Sequence, residues 1–160
     1  MNQRTIAGLV LGLVALLSHA AVAGLLDSPP PTFDGVAGRV VYRMGPAYFE
    51  RGRTDTIVTC TNVGAGQATL AVEIFDADDR LVASADRAGV APGAAVSFGT
   101  SPDASRPDLV VADPRGPVRH GKARISATAV TLACVAIQAT RQEDGTLREM
   151  PLELVKKVAF

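Results

Sequence analysis

The chain has 160 residues, 48% of them hydrophobic, and its 16 Lys and Arg balance 16 Asp and Glu. Neutrality without a basic block argues against nucleic acid as the main partner, because phosphate binding needs clustered Lys or Arg. With no Trp, two Tyr and five Phe, the core must consist mainly of small aliphatic side chains.

The first 23 residues have the pattern of a secretory signal peptide. Arg4 supplies a positive start, residues 6–17 form an uncharged apolar run, and Ala21-Val22-Ala23 has the small residues that signal peptidase reads. The run is shorter than the ~20 residues of a spanning helix, which argues against a membrane anchor. We therefore expect 1–23 to be cleaved, with a cut after Ala20 as the alternative, and 24–160 to form a single domain, periplasmic or extracellular.

Cys60 and Cys134 are the two cysteines of the chain. An exported chain enters an oxidising compartment in which paired thiols close. A disulfide between them is the prediction, and two buried unpaired thiols are the alternative.

Short runs with strand composition follow one another along the chain, separated by Gly, Pro, Asp and Asn, with almost no helical periodicity. These runs are 38–44, 54–63, 68–75, 81–85, 95–99, 109–112, 122–128, 130–140 and 151–158. The pattern predicts an all-β fold, an antiparallel two-sheet sandwich of seven or eight strands with one disulfide.

Two of the runs and one connection carry more specific expectations. The run 68–75 alternates like a half-buried strand, whereas 130–140 is apolar on both faces, as is typical of a strand covered from two sides. The segment 100–121 is rich in Pro, Asp and Arg and predicts a long polar loop, either a binding loop or an unstructured connection.

Four local patterns recur in the order of a known type of domain. They are the strand end Cys60-Thr61-Asn62, the hairpin 75–82, the Pro-Gly turn and strand 92–98, and the late strand at Ala133-Cys134. Together they resemble small exported bacterial immunoglobulin-like β-sandwich domains over about residues 54–139. The resemblance implies an immunoglobulin-like fold, export, and binding or structural work, and it brings no catalytic residue.

No catalytic or metal-binding motif stands out. His120, the one histidine outside the signal peptide, has no nucleophile elbow or zinc-binding helix around it and is predicted to be a solvated loop residue. Asp76, Asp78 and Asp79 predict a hairpin tip, with a weak calcium site as the alternative. Gly64-x-Gly66 predicts a turn. We expect no metal, no cofactor and no enzymatic activity.

An Arg- and Tyr-rich segment is the candidate ligand-binding region, because Arg binds carboxylate or sulfate bidentately and Tyr stacks on sugar rings. Its members are Arg39, Tyr42, Arg43, Tyr48, Arg51 and Arg53. The alternative is an ordinary soluble surface with scattered arginines.

The expectation for function is an exported, non-catalytic binding or structural domain of the cell envelope or extracellular space. Its partner would be a protein or a polysaccharide, and its mature chain would have no integral membrane segment. The alternative is a subunit of a surface assembly that pairs through an edge strand, such as 152–160. Less favoured are a small outer-membrane barrel, whose aromatic girdles are missing, and a hydrolase. A hydrolase would need a carboxylate pair from Asp55, Glu73, Asp86, Asp103 or Asp108.

Overall fold

The computed structural model describes residues 28–101, 107–111 and 117–157, which contain twelve strands and no helix. The predicted signal peptide 1–23 lies outside the described residues. The strands are β1 (Thr32–Phe33), β2 (Val36–Ala37), β3 (Arg39–Phe49), β4 (Thr54–Asn62), β5 (Ala68–Phe75), β6 (Leu81–Val90), β7 (Ala95–Gly99), β8 (Leu109–Val110), β9 (Val118–Ala127), β10 (Leu132–Arg141), β11 (Leu147–Leu152) and β12 (Leu154–Lys156). The all-β prediction is confirmed.

The described residues contain twelve strands, more than the seven or eight that the sequence predicted. Strands β1, β2 and β8 have two residues each, which is too short to produce a visible alternation. The run predicted at 151–158 is also divided, because the chain changes sheets at Glu153 between β11 and β12.

The strands form two five-stranded sheets and one small hairpin. Sheet I has the order β11-β10-β4-β7-β8, sheet II has the order β12-β3-β9-β5-β6, and β1 pairs with β2. Neighbouring strands are antiparallel throughout the described sheets except for β7 and β8, which run parallel.

One cluster of buried side chains draws on both sheets. Val58 and Phe98 come from sheet I, and Leu70 and Ile125 come from sheet II. The Tyr42 hydroxyl on β3 donates a hydrogen bond of 2.8 Å to the Leu132 carbonyl at the start of β10. Burial of apolar side chains and this buried polar contact together hold sheet II against sheet I.

The predicted disulfide between Cys60 and Cys134 is confirmed. The two cysteines lie directly opposite each other on β4 and β10, so the bond joins neighbouring strands within sheet I. It closes a loop with a sequence separation of 74 residues. On the chain-entropy model a loop of that length removes about 4 to 5 kcal/mol of freedom from the unfolded chain.

The expectations for β5 and β10 are reversed in the structure. Strand β5 is buried on both sides, since Ala71, Glu73 and Phe75 on its outer side are as inaccessible as the core. Strand β10 instead exposes Ala133 and Val135 on its outer side. The outer side of β10 is therefore exposed at Ala133 and Val135 and buried only toward its other end, at Ala139.

The polar loop predicted at 100–121 is shorter than expected, because β9 begins at Val118 and pairs with β3 from that residue onward. Val118 is buried. Gly121 admits this close packing, since a Cβ there would lie 2.6 Å from the Phe75 carbonyl oxygen. His120, expected in a loop, is an exposed residue of β9 with a φ of 56°.

Candidate functional site

The six residues of the predicted ligand-binding segment do not form one patch. Tyr42 is part of the core and uses its hydroxyl on Leu132, so its ring is not available to stack on a sugar. Arg43 lies opposite Arg124 on β9 and Val155 on β12, and is half-buried. Arg39 is exposed at the start of β3.

Tyr48 lies near the other end of β3. Its ring packs edge-on against His120, with 5.7 Å between the ring centroids. Its backbone N–H donates to the Thr56 hydroxyl oxygen at 2.9 Å, and the same hydroxyl donates to the Tyr48 carbonyl at 2.8 Å. Tyr48 is thus tied to the start of β4 and separated from Arg39 by most of the length of β3.

Arg51 and Arg53 are brought together in the tight turn between β3 and β4. The Arg53 and Thr54 N–H groups both donate to the Glu50 carbonyl, at 2.8 and 2.9 Å. Gly52 adopts a positive φ of 69°, which a glycine tolerates without strain. Both arginine side chains are consequently carried at an exposed turn.

The turn of Arg53 abuts the end of β10. The Arg53 carbonyl accepts a hydrogen bond of 2.8 Å from the Arg141 N–H. Between these elements lies an open cleft of about 830 Å³, which we call the arginine cleft. Its lining residues are Gly52, Arg53, Thr140, Arg141, Gln142, Glu143 and Asp144.

The far wall of the arginine cleft is a firmly bonded turn. The Thr146 hydroxyl and N–H donate to the Asp144 carboxylate at 2.6 and 2.9 Å, and these bonds lower the pKa of Asp144. Gln142 N–H donates to the Thr146 carbonyl at 2.8 Å, and Gly145 turns the chain with a φ of 84°. The cleft therefore combines two guanidinium groups with hydroxyl, amide and carboxylate groups on a defined backbone.

Sequence reasoning identified Arg53 but missed Arg141. The disulfide could have led to Arg141. If Cys60 and Cys134 lie opposite each other on antiparallel strands, their positions fix which residues of the two strands are paired. Each step back along β4 then matches a step forward along β10, which brings Thr54 opposite Thr140. The turns at 50–53 and 142–146 must therefore meet at one end of sheet I.

A buried ion pair lies elsewhere, on the outer side of sheet II. Arg124 on β9 donates through Nε and Nη2 to the two carboxylate oxygens of Glu73 on β5, at 2.8 and 2.9 Å. Its Nη1 donates to the Ser28 carbonyl at 2.7 Å, and the guanidinium lies 5.2 Å from the centre of the Phe75 ring. The bond to Ser28 ties the N-terminal segment to sheet II, and the contacts with Glu73 and Phe75 hold Arg124 against β5.

The carboxylates considered for a hydrolase do not pair with one another in the described residues. Glu73 is held by Arg124, and Asp108 accepts from the N–H and hydroxyl of Ser97 on β7, both at 2.8 Å. Asp55 is buried beside Thr100, whereas Asp86 is exposed on β6. Asp103 lies outside the described residues.

The aspartates of the β5–β6 hairpin serve its turn. Asp76 accepts from the N–H groups of Asp78 and Arg80, both at 2.9 Å, and Asp79 pairs with Lys122 at 2.6 Å. Within the described ranges no three His, Cys, Asp or Glu side chains are grouped so as to hold a metal ion.

No protein-family model, curated protein or solved structure matches this chain. Over the part of the chain that the structure describes, no helix is long and apolar enough to cross a membrane.

Proposed function

We propose that this protein is an exported, non-catalytic binding domain that holds an acidic polysaccharide of the cell envelope or extracellular space in the arginine cleft. The observation that carries the proposal is the meeting of Arg53 and Arg141, from two separate turns, in one open cleft of about 830 Å³. An open cleft suits a polymer, because the chain can enter at one side and leave at the other.

The groups that line the cleft offer contacts to both the acidic groups and the hydroxyl groups of such a ligand, with the Glu143 and Asp144 carboxylates offsetting the charge of Arg53 and Arg141. Guanidinium groups bind carboxylate or sulfate with two parallel hydrogen bonds. The Thr140 hydroxyl, the Gln142 amide and the Glu143 carboxylate would bond to sugar hydroxyl groups. Arg51 lies in the same exposed turn as Arg53 and adds positive charge to that turn.

Export is part of the proposal and is supported by two features. The signal-peptide pattern at 1–23 provides the route, and the disulfide Cys60–Cys134 belongs to the oxidising compartments outside the cytoplasm.

We also propose that sheets I and II form an immunoglobulin-like two-sheet sandwich. A single core drawn from both sheets supports this arrangement. The position of the disulfide distinguishes it from antibody domains, whose conserved disulfide joins the two sheets, whereas Cys60 and Cys134 lie on neighbouring strands of sheet I.

The test is a binding assay of the mature chain 24–160 against acidic polysaccharides bearing carboxylate or sulfate groups and against neutral ones. We expect binding to the acidic polymers that weakens with salt. Arg53→Gln and Arg141→Gln should weaken this binding about 10- to 150-fold, since a charged hydrogen bond contributes ~1.5 to 3 kcal/mol. Arg39→Gln is the matched control, because Arg39 is exposed at the start of β3 and its loss changes the net charge equally. Equal losses in all three variants, or equal binding to neutral polymers, would contradict the proposal.

A surface-assembly subunit is the second candidate. It is favoured by β12, which lies at the edge of sheet II and has β3 as its one bonded neighbour among the described residues. An added strand from another chain would pair with that edge. Filaments or higher oligomers that disappear when Val155 on β12 is replaced by Pro would support this candidate over the first.

A further inference from the structure

A second cleft lies at the side of the molecule where β6, the edge strand of sheet II, faces β7 of sheet I. Its volume is about 540 Å³, and it is lined by residues 87–91 and 94–96 and by Asp108, which directly precedes β8. We call it the edge cleft. Its two walls therefore come from different sheets.

Small apolar residues make up most of the edge cleft. Val90 and Val96 form its floor, because both are buried members of the core cluster. Four alanines and Gly89 supply the remaining apolar lining, so the backbone of a ligand can approach the walls closely. Arg87 and Asp108 are its two charged residues. An apolar lining with a few polar groups is typical of small-ligand sites.

Arg87 enters the edge cleft from sheet II. It lies directly opposite Leu70 of β5, and side chains directly opposite each other share one side of a sheet. Leu70 is fully buried in the core between the sheets. Arg87 is therefore on the side of β6 that faces sheet I, where it remains exposed because β6 is the edge strand.

Asp108 supplies a fixed carboxylate from sheet I. Its Oδ2 accepts from the N–H and the hydroxyl of Ser97, both at 2.8 Å, and its own N–H donates to that hydroxyl at 2.9 Å. The bonds from Ser97 lower the pKa of Asp108, and the positive charge of Arg87 acts in the same direction. Within the described residues Arg87 and Asp108 nevertheless form no ion pair with each other. The two charges thus face one cleft without closing it, and Oδ1 of Asp108 is open to a ligand.

The backbone of β7 adds hydrogen-bonding groups to the edge cleft. The Ser97 N–H donates to Asp108 and not to β4. Backbone groups alternate in direction along a strand, so the N–H and carbonyl of Ala95, two residues earlier, also point away from β4. Because Ala95 lines the cleft, these two groups can pair with the backbone of an extended peptide.

We propose that the edge cleft binds a short peptide with small apolar side chains and free termini. The carboxylate of the peptide binds the Arg87 guanidinium, its ammonium group binds Asp108, and its central peptide group pairs with Ala95. Guanidinium binds carboxylate with two parallel hydrogen bonds, and methyl-sized side chains contact Val90 and Val96. A ligand with charges of one sign is disfavoured, because it brings like charges together at Arg87 or at Asp108.

The edge cleft is separate from the arginine cleft. Along β4, the edge cleft lies beside the end where Thr61 pairs with Ala95, whereas the arginine cleft lies at the other end, where Thr54 pairs with Thr140. The peptide proposal therefore does not depend on the polysaccharide proposal, and either can fail alone.

The test is a titration of the mature chain 24–160 with trialanine, followed by the NMR shifts of its backbone amides. We expect saturable shifts at 87–91 and 94–96 and a dissociation constant of about 0.1 to 1 mM, from the binding energy per atom of small ligands. Trialanine acetylated at its amino end, or amidated at its carboxyl end, should bind about tenfold more weakly, because each lacks one charge. Triglycine should also bind more weakly, because it lacks the methyl groups that contact the valines.

Variants of the chain locate the site. Arg87→Gln and Asp108→Asn should each weaken trialanine binding about tenfold, and Ala91→Leu should weaken it by filling part of the cleft. Asp86→Asn is the matched control, because Asp86 is exposed on the other side of β6 and its loss changes the net charge equally. Arg53→Gln, which alters the arginine cleft, should leave trialanine binding unchanged.

Three results would each overturn the proposal. The first is a chain whose edge-cleft amides do not respond to trialanine. The second is binding of the blocked peptides or of triglycine that is as tight as binding of trialanine. The third is a loss in the Asp86→Asn variant as large as the loss in Asp108→Asn.

Discussion

Removing one partner of the ion pair between Glu73 and Arg124 is expected to destabilise the protein more than removing both. Arg124 is 1% exposed and Glu73 is 7% exposed, so neither charge can recover its hydration when the other is lost. Breaking a buried pair in this way costs about 3 to 5 kcal/mol, because an uncompensated charge stays in the interior.

The structure allows each variant to be ranked. Glu73→Met leaves the guanidinium with the Ser28 carbonyl and the Phe75 ring as its partners, and we expect a loss of about 3 to 4 kcal/mol. Arg124→Met also removes the bond to Ser28, and the expected loss is about 4 to 5 kcal/mol. The double variant buries no charge and should lose only about 1 to 2 kcal/mol, so the coupling energy is large.

The assay is urea unfolding of the mature chain with the disulfide intact, read as the free energy of unfolding of the wild type and the three variants. Unchanged m-values would show that all four proteins unfold from comparable native states. The reasoning is refuted if each single variant loses less than about 1 kcal/mol, the usual value of an exposed pair, or if the losses of the single variants simply add in the double variant.

Three further predictions concern other contacts. Replacing Cys60 and Cys134 by Ala should lower the free energy of unfolding by about 3 to 5 kcal/mol, measured in urea against the oxidised wild type. The N–H and hydroxyl of Ser97 hold the pKa of Asp108 below its ordinary value of 3.8, so the ionised carboxylate stabilises the fold above that pH. The stability difference between wild type and Asp108→Asn should therefore be full near neutral pH and vanish as the pH falls through the lowered pKa. Asn62 is fully buried and bonds three backbone groups, so thermal and urea unfolding of Asn62→Ala should show a loss of about 2 to 4 kcal/mol.

The features that the sequence determined by itself are local or covalent. Alternating runs bounded by Gly, Pro and Asp predicted most of the longer strands, and the hairpin tip at Asp76, Asp78 and Asp79 lies where its residue types favour it. The pairing of Cys60 with Cys134 followed from their number and the expected compartment. Each of these depends on residues close together in the chain or on a single chemical bond.

Only the tertiary structure decided which surfaces are covered. Alternation along a strand tells which residues share a face, but what lies on that face depends on distant parts of the chain. Glu73 is buried because Arg124 and the N-terminal segment reach it from far along the sequence, and Val135 is exposed because nothing among the described residues packs over it. Likewise, Arg53 and Arg141 share a cleft because the pairing of β4 with β10 brings their turns together.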